Sequence, residues 1–316
     1  MKISKTSVFA LIALVFTTVL LAQNAGNQIT VASDSSSGTY NKMLAEIIQV
    51  CSTDTFNIIP ATGVEGGAPG NLDALVNNRA QAAFLHSDVY FANAQADPSY
   101  AKFQTLVALY PEPIHVLALK VSKTKKVGTL SFGTQEFSSL ADMKGFSVGA
   151  AGGGVYTARI LQGQGEGGFT VVPFNKGDEV IAALTSGQIA AAIFVGAAPL
   201  PNLIKLDKNL YKLLPIGDTI ASRVKGVYRE ASVNYTGMTS GPLKTLAPVA
   251  TLLTRKYSTE TKVAAQRHFR SCFYKHLDEL KDNGSPNWQS VEANDHGVPS
   301  IPWYEIPDVG ATKGKK

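Results

Sequence analysis

The chain has 316 residues, 45% of them hydrophobic and 17% charged, with a formal net charge of +5. That is a globular composition with room for about two domains. Its positive balance is small and spread out, with no dense Lys/Arg run interleaved with aromatics, which disfavours nucleic acid as a partner.

Lys2 and Lys5 precede an apolar run over 8–21 that is short for a bilayer span, and Leu21-Ala22-Gln23-Asn24-Ala25 offers small residues for cleavage. Residues 1–25 therefore read as a secretory signal peptide, in preference to an uncleaved membrane anchor. No cysteine follows the run, so a lipid-anchored form is not expected. Removing Lys2 and Lys5 lowers the formal charge from +5 to +3. No later segment reaches about 18 uninterrupted apolar residues, so the mature chain is expected to be a soluble, periplasmic protein.

The mature sequence opens on a unit that is written twice. Residues 28–47 read QITVASDSSSGTYNKMLAEI, and residues 146–161 read FSVGAAGGGVYTARIL, with Tyr156 in the place of Tyr40. Each copy is an apolar strand, a small-residue loop and a helix opened by a tyrosine. Each also has a similar tail, ALVNNRAQAAFLHS over 74–87 and ALTSGQIAAAIFVG over 183–196. The tails read as helix, tight turn and buried strand. Two such halves predict two α/β lobes with a central cleft between them.

In chain order, the pattern predicts strands over 29–32, 56–60 and 82–85. Helices are expected over 40–50 and 71–77, with Asn71 as N-cap, and from 88. Apolar β-branched strands follow over 106–109 and 114–121. The second lobe repeats the order, with strands at 146–149, 170–173 and 190–195 and helices at 155–162 and 178–185. A helix over 199–206, an extended 211–216, an apolar stretch over 243–255 and one long amphipathic helix over 260–280 complete the reading. Lobe one is assigned to 26–118 and 227–316, lobe two to 119–226, so the chain crosses twice and the paired crossings make a hinge. Cys51 closes the first helix and Cys272 lies in a late one. In an exported chain they are expected to form a disulfide, with two buried thiols as the alternative.

Several segments together resemble the TAXI family of solute receptors for TRAP-type transporters. They are Ser37-Gly38-Thr39-Tyr40, Tyr110-Pro111-Glu112-Pro113-Ile114-His115-Val116, the glycine loop from Gly149 to Tyr156, Thr157-Ala158-Arg159-Ile160-Leu161, and Phe194-Val195-Gly196 before Pro199. The first loop carries one glycine where the family usually has a fuller run. The resemblance implies a type 2 periplasmic-binding-protein fold, delivery to a TRAP-type membrane permease, and organic acids or amino acids such as glutamate as solutes. Receptors that feed an ABC permease or a sensor are the alternative, and an exported hydrolase is a weaker one.

The binding residues expected follow from the loops. Ser33, Ser36, Ser37, Gly38, Thr39 and Tyr40 in the first loop present hydroxyls and backbone N–H groups at a helix start, where the helix dipole favours an anion. Plain helix capping is the competing reading. Gly153, Gly154, Val155, Tyr156 and Thr157 form the counterpart in lobe two. Gly63 lies in a glycine-rich loop. His86 and Ser87 end a buried strand where ligands bind in open sheets, with Asp88 left to cap the next helix. Tyr110, Asn175, Lys176, Val195 and Gly196 complete the set. Glu112 and His115 amount to half a metal site without a second pair, so no metal is expected. The glycine loop of the second copy, Gly152 to Gly154, lacks the Gly-Lys-Ser/Thr ending of a phosphate loop, so no nucleotide cofactor is expected. No Gly-x-Ser-x-Gly elbow appears, and no catalytic residue is assigned.

Overall fold

The computed structural model describes residues 27–33, 38–122 and 136–307. The expected signal peptide and the loop residues Ser36 and Ser37 lie outside the described residues.

The first lobe is laid down as alternating strand and helix. It begins with β1 (Gln28–Ala32), α1 (Thr39–Cys51), β2 (Asn57–Pro60), α2 (Gly67–Val76), β3 (Ala82–His86), α3 (Ser87–Ala96) and β4 (Phe103–Pro111). The second contains β5 (Ile114–Leu119), β6 (Ser147–Ala151), α4 (Gly154–Gly163), β7 (Thr170–Phe174), α5 (Gly177–Ser186), β8 (Ala191–Val195), α6 (Pro201–Ile204), β9 (Tyr211–Leu214) and α7 (Asp218–Arg223). A ribbon of β10 (Arg229–Val233) and β11 (Leu243–Ala247) follows. The chain then returns through β12 (Val249–Arg255), α8 (Glu260–Lys275) and α9 (Leu277–Asn283).

Two five-stranded sheets result, with orders β2-β1-β3-β12-β4 and β7-β6-β8-β5-β9. In each, three parallel strands come from the repeated unit, and an antiparallel strand, β12 or β5, pairs with the third. This is the type 2 periplasmic-binding-protein arrangement, mixed α/β with two lobes. The strands β3, β5, β8 and β12 are almost wholly buried because helices cover both faces, and their sequences are accordingly near-continuous apolar runs. In α1, Tyr40, Met43, Leu44, Ile47 and Cys51 share the buried face at helical spacing.

The crossings differ from those expected. The first falls at Glu112 and Pro113, because β5 already belongs to the second sheet. The second falls at Pro248 rather than near 227. Val227, Tyr228 and Leu246 sit in one lobe-two core and Val233 and Tyr235 in the other, so the 229–247 ribbon packs with lobe two. The apolar stretch 243–255 is thus two strands, split at Pro248. The two crossings lie side by side, since the Glu112 N–H donates to the Pro248 carbonyl at 2.8 Å. A rotation of one lobe against the other has to pass through this pair.

Three further expectations are corrected. Asn71 is not an N-cap: α2 starts four residues earlier, and the buried Asn71 amide donates to the Phe84 carbonyl at 2.8 Å. The late amphipathic helix breaks at His276 into α8 and α9. The helix expected over 199–206 is confined to Pro201–Ile204. Cys51 and Cys272 are joined, tying α8 to α1 across 221 residues of sequence. Among the described residues no helix is long and apolar enough to cross a membrane.

Candidate functional site

The lobes meet along a polar seam centred on His86. This residue ends β3, at the carboxyl edge of the first sheet, with its ring facing the glycine loop of lobe two. A Cβ at position 153 would lie 2.6 Å from the His86 Cε1, so any other residue there would have to displace the ring. Gly152 makes the preceding turn at φ +54°. Gly153 thus serves close packing between lobes, while a Cβ at Gly154 would meet the Ile193 carbonyl of its own lobe.

Carboxylates flank His86 on both sides. Its Nδ1 is 3.8 Å from Asp88 Oδ1, and its Nε2 is 3.5 Å from Glu112 Oε2. Asp88 does not serve as a helix cap. It is fully buried, and its Oδ2 accepts the Thr157 hydroxyl at 2.5 Å and the Tyr228 hydroxyl at 3.1 Å, both from outside lobe one. Its Oδ1 has no hydrogen-bond partner, and neither does His86 Nδ1. Glu112, on the first crossing, accepts the Tyr40 hydroxyl at 2.7 Å. Tyr40 also meets His86 edge to face, with ring centroids 6.2 Å apart.

Burial raises the pKa of both carboxyls, with His86 the main opposing influence in each case. The same burial, reinforced by the carboxylate each one faces, holds the Tyr40 and Tyr228 hydroxyls well above the usual tyrosine range. These phenols are therefore fixed donors.

Tyr40 in the first turn of α1 and Gly153 just before α4 both meet His86. The residue before α1 is Gly38 and that before α4 is Gly153, so neither helix has a side-chain cap; at α4 the Val155 and Tyr156 N–H groups donate to the Gly152 and Gly153 carbonyls at 3.2 and 3.0 Å. The seam is closed on its flank by helix packing: Tyr156 of α4 packs on a lobe-one core, and Phe91 and Ala92 of α3 on a lobe-two core. Arg229 adds a forked pair with Asp295, in the C-terminal segment, at 2.5 and 2.6 Å.

Of the residues expected to bind, Gly38, Tyr40, His86, Gly153, Gly154, Val155, Tyr156 and Thr157 lie in or beside the seam. Thr39 is exposed at the first helix start. Ser33 is buried below it, its hydroxyl accepting the Asn41 amide at 3.4 Å. Ser87 is engaged inside lobe one, where its hydroxyl accepts the Val249 N–H at 3.0 Å. Tyr110 is part of the lobe-one core. Asn175 and Lys176 are exposed at the start of α5, where the Asn175 N–H donates to Glu179. The Gly63 carbonyl accepts Arg79, and Val195 pairs with Ile114 beside Gly196. Sequence reasoning passed over Asp88, Glu112 and Tyr228. A carboxylate two residues after a strand-end histidine was visible, but nothing local announced that another lobe would cover it.

Residues 31–264 match the model of the NMT1-like family. The chain belongs to that family. Among curated proteins nothing matches it. Among solved structures, protein AF1704 from Archaeoglobus fulgidus is 15% identical, with a TM-score of 0.50 over 83% of this chain and 80% of that one. The amino acid ABC transporter substrate-binding protein AbpA from Streptococcus pneumoniae, bound to L-arginine, is also 15% identical, with a TM-score of 0.47 over 86% of this chain and 99% of that one. At that identity the likeness to AF1704 is one of fold. This NMT1-like chain has the two-lobed architecture of periplasmic solute-binding proteins. Among its described residues no group of three or more His, Cys, Asp or Glu could hold a metal ion.

Proposed function

We propose that this NMT1-like protein is an exported solute receptor that closes its two lobes on a small carboxylate-bearing molecule, with amino acids such as glutamate the first candidates. One observation carries the reading: Tyr40 in the first turn of α1 and Gly153 just before α4, one from each lobe, both meet His86. The positive ends of the two helix dipoles favour a carboxylate there. Only the closed arrangement brings both helix starts to the same molecule, so the solute stabilises closure by the contacts that closure completes. Ser33, Gly38 and Thr39 line one side in this reading. Gly154, Val155 and Thr157 line the other, with Gly63, Asn175, Lys176 and Gly196 on the outer rim.

The delivery partner we infer is a TRAP-type permease. Support comes from the Tyr110-Pro111-Glu112-Pro113-Ile114-His115 segment, which forms the first crossing and begins β5. The signal peptide read in residues 1–25 fits a receptor working outside the cytoplasmic membrane.

The test starts with protein purified from its exported form without chelation or refolding. Native mass spectrometry should find a small molecule released on denaturation, and thermal-shift screening should find stabilisation by the same compound. Thr39→Ala and Thr157→Ala should each weaken that response. A chain that carries no solute and is stabilised by none would sink the receptor reading.

A further inference from the structure

Among the described residues four large apolar side chains are exposed, and three of them gather at one end of lobe two. Ile204 is 51% exposed at the end of α6, Leu210 is 52% exposed just before β9, and Val121 is 49% exposed just after β5. The antiparallel pairing of β5 with β9 brings these places together, and the Lys120 N–H donates to the Leu210 carbonyl at 2.8 Å. Lysines surround them: Lys120, Lys205 and Lys208 are exposed and Lys212 is partly exposed. The Lys208 stem lies against the turn at Gly237, where an added Cβ would be 2.9 Å from its Cδ. Asp207 is the only acidic residue over 204–212, and the neighbouring turn over 234–242 has none. This corner is the far pole of lobe two. β5 leaves the crossing at Ile114 and ends six residues later at Leu119, about 20 Å away. The seam lies at the opposite end of the sheet, where Ile114 pairs with Val195. The corner therefore takes no part in the solute site.

We propose that this pole docks on an anionic membrane surface, with its lysines among the lipid phosphates and Ile204, Leu210 and Val121 dipping between the headgroups. The composition favours lipid over protein. Protein interfaces are depleted in lysine and enriched in arginine, and no arginine occurs over 114–122 or 204–212. Lysine is a hydrated point charge on a flexible stem, which suits a fluid array of phosphates better than forked pairing with fixed carboxylates. Separate apolar side chains ringed by lysine fit the headgroup boundary, where the stems lie in the apolar layer and the ammonium groups stay in water. With the pole seated on lipid, the seam stays clear of the surface and free to open.

Co-sedimentation of the exported protein with vesicles tests this. Mixed phosphatidylglycerol–phosphatidylcholine vesicles should bind it about tenfold more tightly than pure phosphatidylcholine, and raised salt should weaken the binding. Lys120→Gln, Lys205→Gln, Lys208→Gln and Lys212→Gln together should abolish most of that preference. Ile204→Ser with Leu210→Ser should lower the affinity while leaving its salt dependence in place. Lys102→Gln, Lys256→Gln, Lys262→Gln and Lys275→Gln together, all exposed lysines of lobe one, should leave the preference unchanged. An equal loss in the two lysine sets overturns the proposal, because net charge alone would then account for the binding. So does equal retention on both kinds of vesicle, or none on either. Binding to soluble polyglutamate without retention on vesicles overturns it in favour of an acidic protein partner. Melting curves of each variant with and without solute report the fold and the receptor reading separately, so either can fail without the other.

Discussion

The two lobes share one topology but divide the work at the seam. At matched strand ends, lobe one carries His86-Ser87-Asp88 and lobe two Val195-Gly196-Ala197. At matched helix starts, lobe one has Gly38-Thr39-Tyr40 and lobe two Gly153-Gly154-Val155. Lobe one, with Glu112 on its outgoing crossing, supplies every charged group of the cluster. Lobe two supplies bare backbone, the Thr157 hydroxyl and, through the ribbon, Tyr228. One half offers chemistry and the other a surface small enough to be pressed against it. A duplicated framework can therefore diverge in its loops while its sheets stay alike, because side chains at strand ends are not needed by the core.

The lobes also differ in their internal restraints, and this gives the largest expected effect. Only lobe one has a disulfide, closing a loop of 221 residues. Cys51→Ser with Cys272→Ser should cost about 5 kcal/mol on the chain-entropy account. Calorimetry should show the loss in lobe-one unfolding, and an unchanged melting profile would show the bond to be dispensable.

Lobe two has a buried histidine of its own. His115 bonds Tyr235 at 2.9 Å, and Tyr235 in turn accepts the Leu200 N–H. Burial lowers the His115 pKa from 6.5 to about 4. Between those values the unfolded chain takes up a proton that the native chain refuses, so stability is full above pH 6.5 and falls as the pH drops toward 4. The loss should approach roughly 3 kcal/mol at the acid end, and His115→Gln should flatten that part of the denaturation profile. A profile unchanged by the substitution would place the acid sensitivity elsewhere.

At the seam, Thr157→Val removes one donor from the buried Asp88 carboxylate and should weaken solute-driven closure by about 2 kcal/mol. Scattering profiles with and without solute would register the larger open fraction. Gly153→Ala places a methyl group against the His86 ring and should cost about 1 kcal/mol of closure, with little effect on the stability of either lobe. A variant as tight-binding as the parent would mean that the His86 ring yields freely.

The repeat over 28–47 and 146–161, with its two tails, was enough to read the two-lobed α/β plan, and apolar runs located most strands. The errors cluster where local pattern and tertiary pairing disagree. Residues 227–247 carry alternating polar and apolar side chains that fit either lobe. They go to lobe two because Val227, Val233, Tyr235 and Leu246 complete its cores. Asn71 looked like a cap because asparagine favours caps, but the Phe84 carbonyl recruited its amide. The glycine loops were legible as places of close approach, though not as the bed for His86.

Periodicity, small-residue loops and paired cysteines thus determined the fold class, the repeat and the starts of helices other than α2, since these depend on residues close in sequence. Tertiary structure alone decided that Asp88, Glu112, Tyr40, Thr157 and Tyr228 share one desolvated seam. Whether a carboxylate is exposed or buried depends on what the opposite lobe lays over it, and that partner lies 69 residues away for Thr157 and 140 for Tyr228.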